Sequence, residues 1–186
     1  MTREDILEAA AQVFRQKGFH GASMSDIADA VSLQKASLYH HVTSKQEILL
    51  EILARALQLL LDRISPIAVQ KLPADEKLRR MIHEYMQILA ENGDLATVLL
   101  FEHRALERRQ RARHVPSRDK FELLWRDVLA EGVADGVFKC DDIPLAVRAL
   151  LGLMNWTITW YHPDGAKTIE QIADDYSDLL LNGLLR

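Results

Sequence analysis

Disulfides, membrane spans and most catalytic signatures are absent from this chain. Its one cysteine, Cys140, excludes an internal disulfide and suits a reducing compartment. No apolar run approaches the roughly 18 residues needed to cross a bilayer. The opening MTREDILEAA sets acids among its apolar residues, unlike a signal peptide. The expectation is a cytoplasmic protein with no membrane partner. No phosphate-cradling glycine loop, dinucleotide fingerprint or strained G-x-S-x-G turn occurs, which leaves an enzyme without a supporting constellation. Strand-like alternation is missing too. A net charge of −4 argues against polyanion binding by the surface as a whole.

What is present is helical periodicity. Ile6, Leu7, Ala10, Val13 and Phe14 form one stripe of an amphipathic helix over residues 3–17. Thr2 with Asp5 reads as its capping box, and Gly18 as its left-handed stop. Ser23 with Asp26 opens a short helix, and Ser44 with Glu47 opens a long one ending near Ser65-Pro66. Between these starts there is room for a turn at 31–33 and two helical turns to Val42. A short helix, a tight turn and a second short helix beneath a first helix make a helix-turn-helix. Later helices follow over DEKLRRMIHEYMQILAENG, residues 75–93 with ENG as its stop, and from 94, then after Pro116 with Ser117 as cap. Another spans 143–161, and a last one begins at Thr168 with Gln171. The fold class is all-α: an N-terminal three-helix unit over 1–46, then a helical bundle over 47–186, with about nine helices in total.

The segment SLQKASLYHHVTSKQEIL, residues 32–49, carries the densest chemistry. His40 and His41 are adjacent, so on a helix they point about 100° apart and cannot chelate one ion together. No cysteine pair or spaced histidine completes a site, and neither metal nor cofactor is expected. With Leu38 and Val42 facing the core, Gln34, Lys35, Ser37, Tyr39, His40 and His41 are mostly left outside. Gln34 and Lys35 then sit at the N-terminal end, where a recognition helix reaches base edges. The Ser37 and Tyr39 hydroxyls suit phosphates, as does Lys45 in the first turn of the next helix. Periodicity and charge leave a solvated helix face open beside this DNA-reading face.

The motifs add more. The helix with AA..F...G, then G...S.SDIADA, SLYHH and SKQEIL, from Ile6 to Leu50, resembles the DNA-binding domain of the TetR family of transcription regulators. The resemblance implies a homodimer on a palindromic operator, released when a small effector enters the C-terminal bundle. It implies phosphate contacts by Ser23, Ser25, Ser37, Tyr39 and Lys45, with Lys35 and His40 near base edges. Ser32, Gln34, Ala36 and Val42 depart from the glycine, serine, glycine and phenylalanine usual at those places, which leaves base preference open.

Two features of the remaining chain call for partners. Residues 104–120 hold seven Arg or Lys against Glu107 and Asp119, a basic island on an otherwise acidic chain. The last two long helices show wide apolar surfaces, from which Leu150, Met154, Ile158, Tyr176, Leu179 and Leu180 are expected to pair with a twin. This C-terminal part is similar to TetR-family members that respond to acyl-CoA thioesters. Such a ligand wants arginines at a pocket mouth, here Arg104 and Arg108, and an apolar tunnel, here Met81, Tyr85, Phe101, Phe121, Trp125 and Trp156. Thr159 and His162 stand where several such regulators carry arginine. A different apolar or aromatic effector, or a protein-interaction adaptor with no effector, remain the alternatives.

Overall fold

The computed structural model describes residues 2–184, which are helical with no extended strand among them. The elements are α1 (Arg3–Gly21), α2 (Met24–Ala30), α3 (Lys35–Leu38), α4 (Lys45–Ala68) and α5 (Ala74–Glu91). They continue with α6 (Gly93–Phe101), α7 (Arg108–Ala134), α8 (Ile143–Trp156) and α9 (Ile169–Leu184). Short 3-10 turns occupy Glu102–Ala105 and Thr157–Thr159. No helix among the described residues is long and apolar enough to cross a membrane.

The caps behave as their residue types dictate. At α1 and α2 the reciprocal boxes Thr2–Asp5 and Ser23–Asp26 are both complete. Thr168 and Gln171 make the same exchange at α9, and Ser44 accepts from the Glu47 N–H at α4. Each box satisfies backbone donors that a helix start leaves without partners. Gly18 has φ 69°, a conformation that disfavours a side chain, and it breaks α1 as expected. The chain then makes one more helical turn to Gly21 rather than ending at residue 17.

Four further boundaries differ from the sequence expectation. α3 is a single turn instead of two, because the Leu38 carbonyl takes both the His41 and Val42 N–H groups. That tightening carries Val42 into the core and lets α4 begin at Lys45. α4 runs through Pro66, kept helical by the buried Leu60, Leu61 and Ile64 on the preceding turns. α7 begins at Arg108 and passes through Pro116, so the basic island is helix rather than loop. A proline removes one N–H and crowds the carbonyl four residues back. The start of α7, two turns before that proline, is held by side chains: Arg111 donates to the Arg104 and Leu106 carbonyls, and Gln46 accepts from the Glu107 N–H. α8 stops at Trp156 and tightens to a 3-10 turn, short of residue 161.

Packing divides the chain into two compact units. The first contains residues up to Gln58 together with Gly93–Arg118; the second contains Leu59–Asn92 with the residues from Asp119 onward. In the first unit Ile6, Phe14, Ile27, Leu38, Ile48, Ile52 and Leu53 form a core that also takes in Val98 and Leu106. In the second unit α5 buries Leu78, Met81, Ile82, Tyr85, Met86 and Leu89. α5 and α9 are tied by Arg79–Asp178 at 2.7 Å and His83–Asp174 at 3.0 Å. Lys77, almost wholly buried, is paired at 2.7 Å with Glu131. At the end of α7 the Phe138 ring lies against Gly132, where a Cβ would fall 2.2 Å from a ring carbon. Any larger residue at 132 has to displace that ring.

Candidate nucleic-acid interface and effector core

The first unit presents a small polar face on a rigid base. α3 is held by one fully buried anchor, Leu38. With that side chain inward, Gln34, Lys35 and His40 are exposed, Ser37 is half-buried, and Tyr39 keeps 47% of its surface exposed. A large aromatic left this open at the end of a one-turn helix can meet an outside surface. Ser32 adopts φ 53° in the turn before α3, the conformation for which glycine is usual. Gln34, at the cap position, makes no side-chain cap bond. It is therefore left for other partners.

Among the expected phosphate contacts, the structure separates free groups from engaged ones. Ser25 is exposed. Ser23 is exposed, but its hydroxyl is part of the α2 cap, donating at 2.7 Å to Asp26 and accepting from the Asp26 N–H at 3.1 Å. The Lys17 ammonium at 2.6 Å, with the Ser23 bonds, holds the Asp26 carboxyl well below the usual range. Lys45 differs most from expectation. Its ammonium donates to the Phe19 and Ala22 carbonyls at 2.7 and 2.6 Å and lies 4.4 Å from the Phe19 ring centroid. It thereby ties α4 to the end of α1.

Two residues with no local sequence signal complete this corner. The Glu102 carboxylate accepts from the Phe19 N–H at 3.0 Å, just beyond the Gly18 break. Gln46 donates to the Ala105 carbonyl at 2.9 Å and accepts from the Glu107 N–H at 3.1 Å. Their partners lie 83 and about 60 residues away in the chain, so no helical spacing could have marked them. Nearby His103 is held below its ordinary value of 6.5, first by partial burial, and then by the positive charges of Arg104 and Arg118.

The residues read as effector contacts fall into groups. In the second unit Met81, Tyr85, Phe121 and Trp125 are buried. Tyr85 stacks on Phe121 at 5.9 Å and meets Trp125 edge-on at the same separation. The Tyr85 hydroxyl donates to the Asn155 side-chain oxygen, and burial pushes its phenol well above the usual value. The Trp125 indole N–H is buried with no hydrogen-bond partner among the described residues. Trp156, by contrast, is 64% exposed. Phe101, Arg104 and Arg108 are exposed residues of the first unit. Two clefts open on the second unit: about 620 Å³ among Arg79, His83, Glu170 and Asp174, and about 350 Å³ among Trp160, Tyr161 and Tyr176. Tyr85, Phe121 and Trp125 line neither of them; their rings fill the core.

The apolar surface of the last helices also sorts differently from expectation. Leu150 and Met154, read as facing a twin, are buried within the subunit's own core. Four-residue spacing places them on the inward side of α8 with Val147. Ile158, Tyr176 and Leu180 are half-buried, and Leu179 is 64% exposed. On α8 the outward side carries Leu145, Ala149, Gly152 and Trp156 instead.

Comparison with known proteins agrees with this architecture. Residues 6–52 match the family described as bacterial regulatory proteins, tetR family, and residues 71–184 match the tetracyclin repressor-like C-terminal domain. A relative from Rhodococcus jostii, the HTH-type transcriptional repressor KstR2, is 30% identical over 98% of this chain and 90% of its own length. Among solved structures, the TetR family regulator PfmR from Thermus thermophilus is 39% identical with a TM-score of 0.87, covering 97% of this chain and 99% of that one. AibR, solved in complex with isovaleryl coenzyme A and operator DNA, is 27% identical with a TM-score of 0.90, covering 96% and 97% of the two chains.

Proposed function

The chain belongs to the TetR family of bacterial regulatory proteins, and on that premise we propose that its effector is an acyl-coenzyme A thioester. The protein is a ligand-responsive DNA-binding transcriptional regulator of the repressor type, like the relatives it matches. In this reading residues 1–46 hold the operator, while residues 47–186 take the effector and pair two subunits. No catalytic role is assigned. Gln34, Lys35 and His40 approach base edges; Ser23, Ser25, Ser37 and Tyr39 meet phosphates. Lys45 contributes a phosphate contact after exchanging its carbonyl partners, or leaves that contact to its own N–H at the start of α4. A symmetric pair offers two recognition helices at a spacing of about one DNA turn, roughly 34 Å. Leu179, with the half-buried Ile158, Tyr176 and Leu180, supplies apolar surface for that pair. Leu150 and Met154 support it from beneath.

One observation carries the effector class. Over 96% of its length the chain has the fold of AibR, a regulator solved with an acyl-coenzyme A and operator DNA together. The interior of the second unit supports it. An indole N–H buried without a partner costs about 1–3 kcal/mol, and a thioester carbonyl arriving beside Trp125 relieves that cost. Tyr85, Phe121 and Met81 give the acyl chain apolar walls once they part. The effector weakens DNA binding only through its different affinity for the two arrangements, typically about 1–3 kcal/mol. α4 carries the change: it begins at Lys45 in the first unit and continues into the second from Leu59.

The test is a titration. A duplex selected by the protein from a random pool is followed by fluorescence anisotropy while acyl-coenzyme A thioesters of increasing chain length are added. Free coenzyme A and the free acids serve as references. Release by thioesters and by neither reference is the expected result. Release by a free acid or an aromatic compound alone replaces the effector class and leaves the regulator standing.

A further inference from the structure

Arg104, Arg108 and Arg109 form an exposed basic cluster around the start of α7. None has an acidic partner among the described residues, unlike Arg113, which is paired with Glu47 at 3.1 Å. Exposed arginines without an ion pair of their own keep their donors available, and an anion is the partner that would satisfy them. Arginine's planar fork suits phosphate oxygens especially well.

The cluster belongs to the packing unit that carries the recognition helix. Its backbone is fastened at three points. Glu102 takes the Phe19 N–H at the end of α1, and Gln46 in the first turn of α4 holds both Ala105 and Glu107. Arg104 lies between these attachments and Arg108 directly follows them. Leu106, 2% exposed, is embedded in the core shared with Leu38. The same corner contains Lys45, bonded to Phe19 and Ala22, and Ser23 next in the chain. So the arginines are anchored to the two helix ends that flank the expected phosphate contacts, and they move with them.

From this placement we infer that Arg104, Arg108 and Arg109 grip the backbone of duplex DNA flanking the bases read by α3. The inference rests on the reading of the first unit as a DNA-binding head. A coenzyme A phosphate offers the same chemistry, and Arg104 and Arg108 were read from sequence as its contacts. Location favours the duplex. The cluster is carried by the head, and most of the remaining chain is acidic, so a polyanion lying against the protein is drawn to the few basic islands. These contacts add affinity and no base preference, because phosphates are alike along the strand.

The experiment measures the salt dependence of duplex binding by the full chain, on a selected 40-base-pair duplex and on one of mixed sequence. Arg104→Gln, Arg108→Gln and Arg109→Gln are combined, with the three lysine replacements as the charge-keeping partner. A second set, Lys71→Gln, Lys120→Gln and Lys139→Gln, removes three exposed charges from the other unit. Circular dichroism establishes that each variant is folded. The expected result is a log–log salt slope shallower by about 0.9 for each arginine that met a phosphate, on both duplexes. The charge-keeping variant and the lysine set keep the parent's slope. An unchanged slope in the arginine variant overturns the inference, as does an equal loss in the lysine set, which reduces the effect to net charge. Loss of free coenzyme A binding with the DNA slope unchanged also overturns it and returns the arginines to the effector. No duplex binding by the parent chain at low salt overturns the DNA-binding reading itself. A parent that binds steeply while the arginine variant binds identically overturns this inference alone.

Discussion

The two packing units use the same kinds of residue for opposite ends. In the first, the side chains proposed to meet DNA are polar and face outward from short helices whose caps are written locally. In the second, apolar residues serve as core, as proposed effector wall and as proposed twin surface, and all three roles ask for the same chemistry. Trp125 and Trp156 show the contrast within one residue type: the first is fully buried, the second 64% exposed. A polar residue outside an apolar stripe declares its direction. An apolar residue on a helix with two apolar sides does not.

Those two tryptophans carry the largest expected difference. Trp125→Ala is expected to cost about 3–5 kcal/mol, because it removes a large side chain from a packed interior and leaves a cavity. Trp156→Ala should lie within about 0.5 kcal/mol for the subunit itself, since the side chain is mostly exposed. Denaturant unfolding at several protein concentrations checks both. Similar large losses for the two, independent of concentration, put Trp156 inside and end the contrast.

Next in size is a substitution on the outward face of the first unit. Lys35→Ala is expected to relax base preference by about 1–3 kcal/mol at the positions it reads, with the unfolding midpoint unchanged. Selection from a random duplex pool, run beside thermal unfolding, separates the two effects. A fall in stability without a change in selected sequence makes Lys35 a structural residue of α3.

The smallest effect concerns pH. His103 has a folded-state pKa below its ordinary 6.5, chiefly through partial burial, so the folded chain favours the neutral ring. The stability tied to that preference is fully present above about pH 6.5 and is lost as pH falls through the lower folded value. His103→Gln should flatten this part of the stability profile without altering the profile at pH 8. A parent whose unfolding midpoint is level between pH 7 and 5.5 contradicts it.

The legible part of the fold follows from interactions between residues three or four apart. Thr2–Asp5, Ser23–Asp26 and Thr168–Gln171 each close within one helical turn, so their presence in the chain predicts the bonds seen. Leu38 and Val42 likewise predict which side of the recognition segment faces water. The exposure of Gln34, Lys35, Tyr39 and His40 therefore follows from the chain itself. The illegible part depends on partners distant in the chain. Pro116 reads as a helix stop, yet Gln46 holds the Glu107 N–H, while Arg111 satisfies carbonyls of the upstream turn, and α7 starts nine residues before Ser117. Lys45 reads as a free cation at a helix start, yet the carbonyls of Phe19 and Ala22 lie within its reach.

By itself, then, the order of residues determined the capping boxes of α1, α2 and α9 and the polar face around Tyr39, because each depends on neighbours one turn away along the backbone. Tertiary structure alone decided that Leu150 and Met154 turn inward, that Glu102 and Gln46 join the end of α1 to the start of α4, and that Arg104, Arg108 and Arg109 belong to the packing unit that contains α3. Those outcomes rest on which surfaces meet across long stretches of chain, and apolar burial has no direction until the folded chain supplies one.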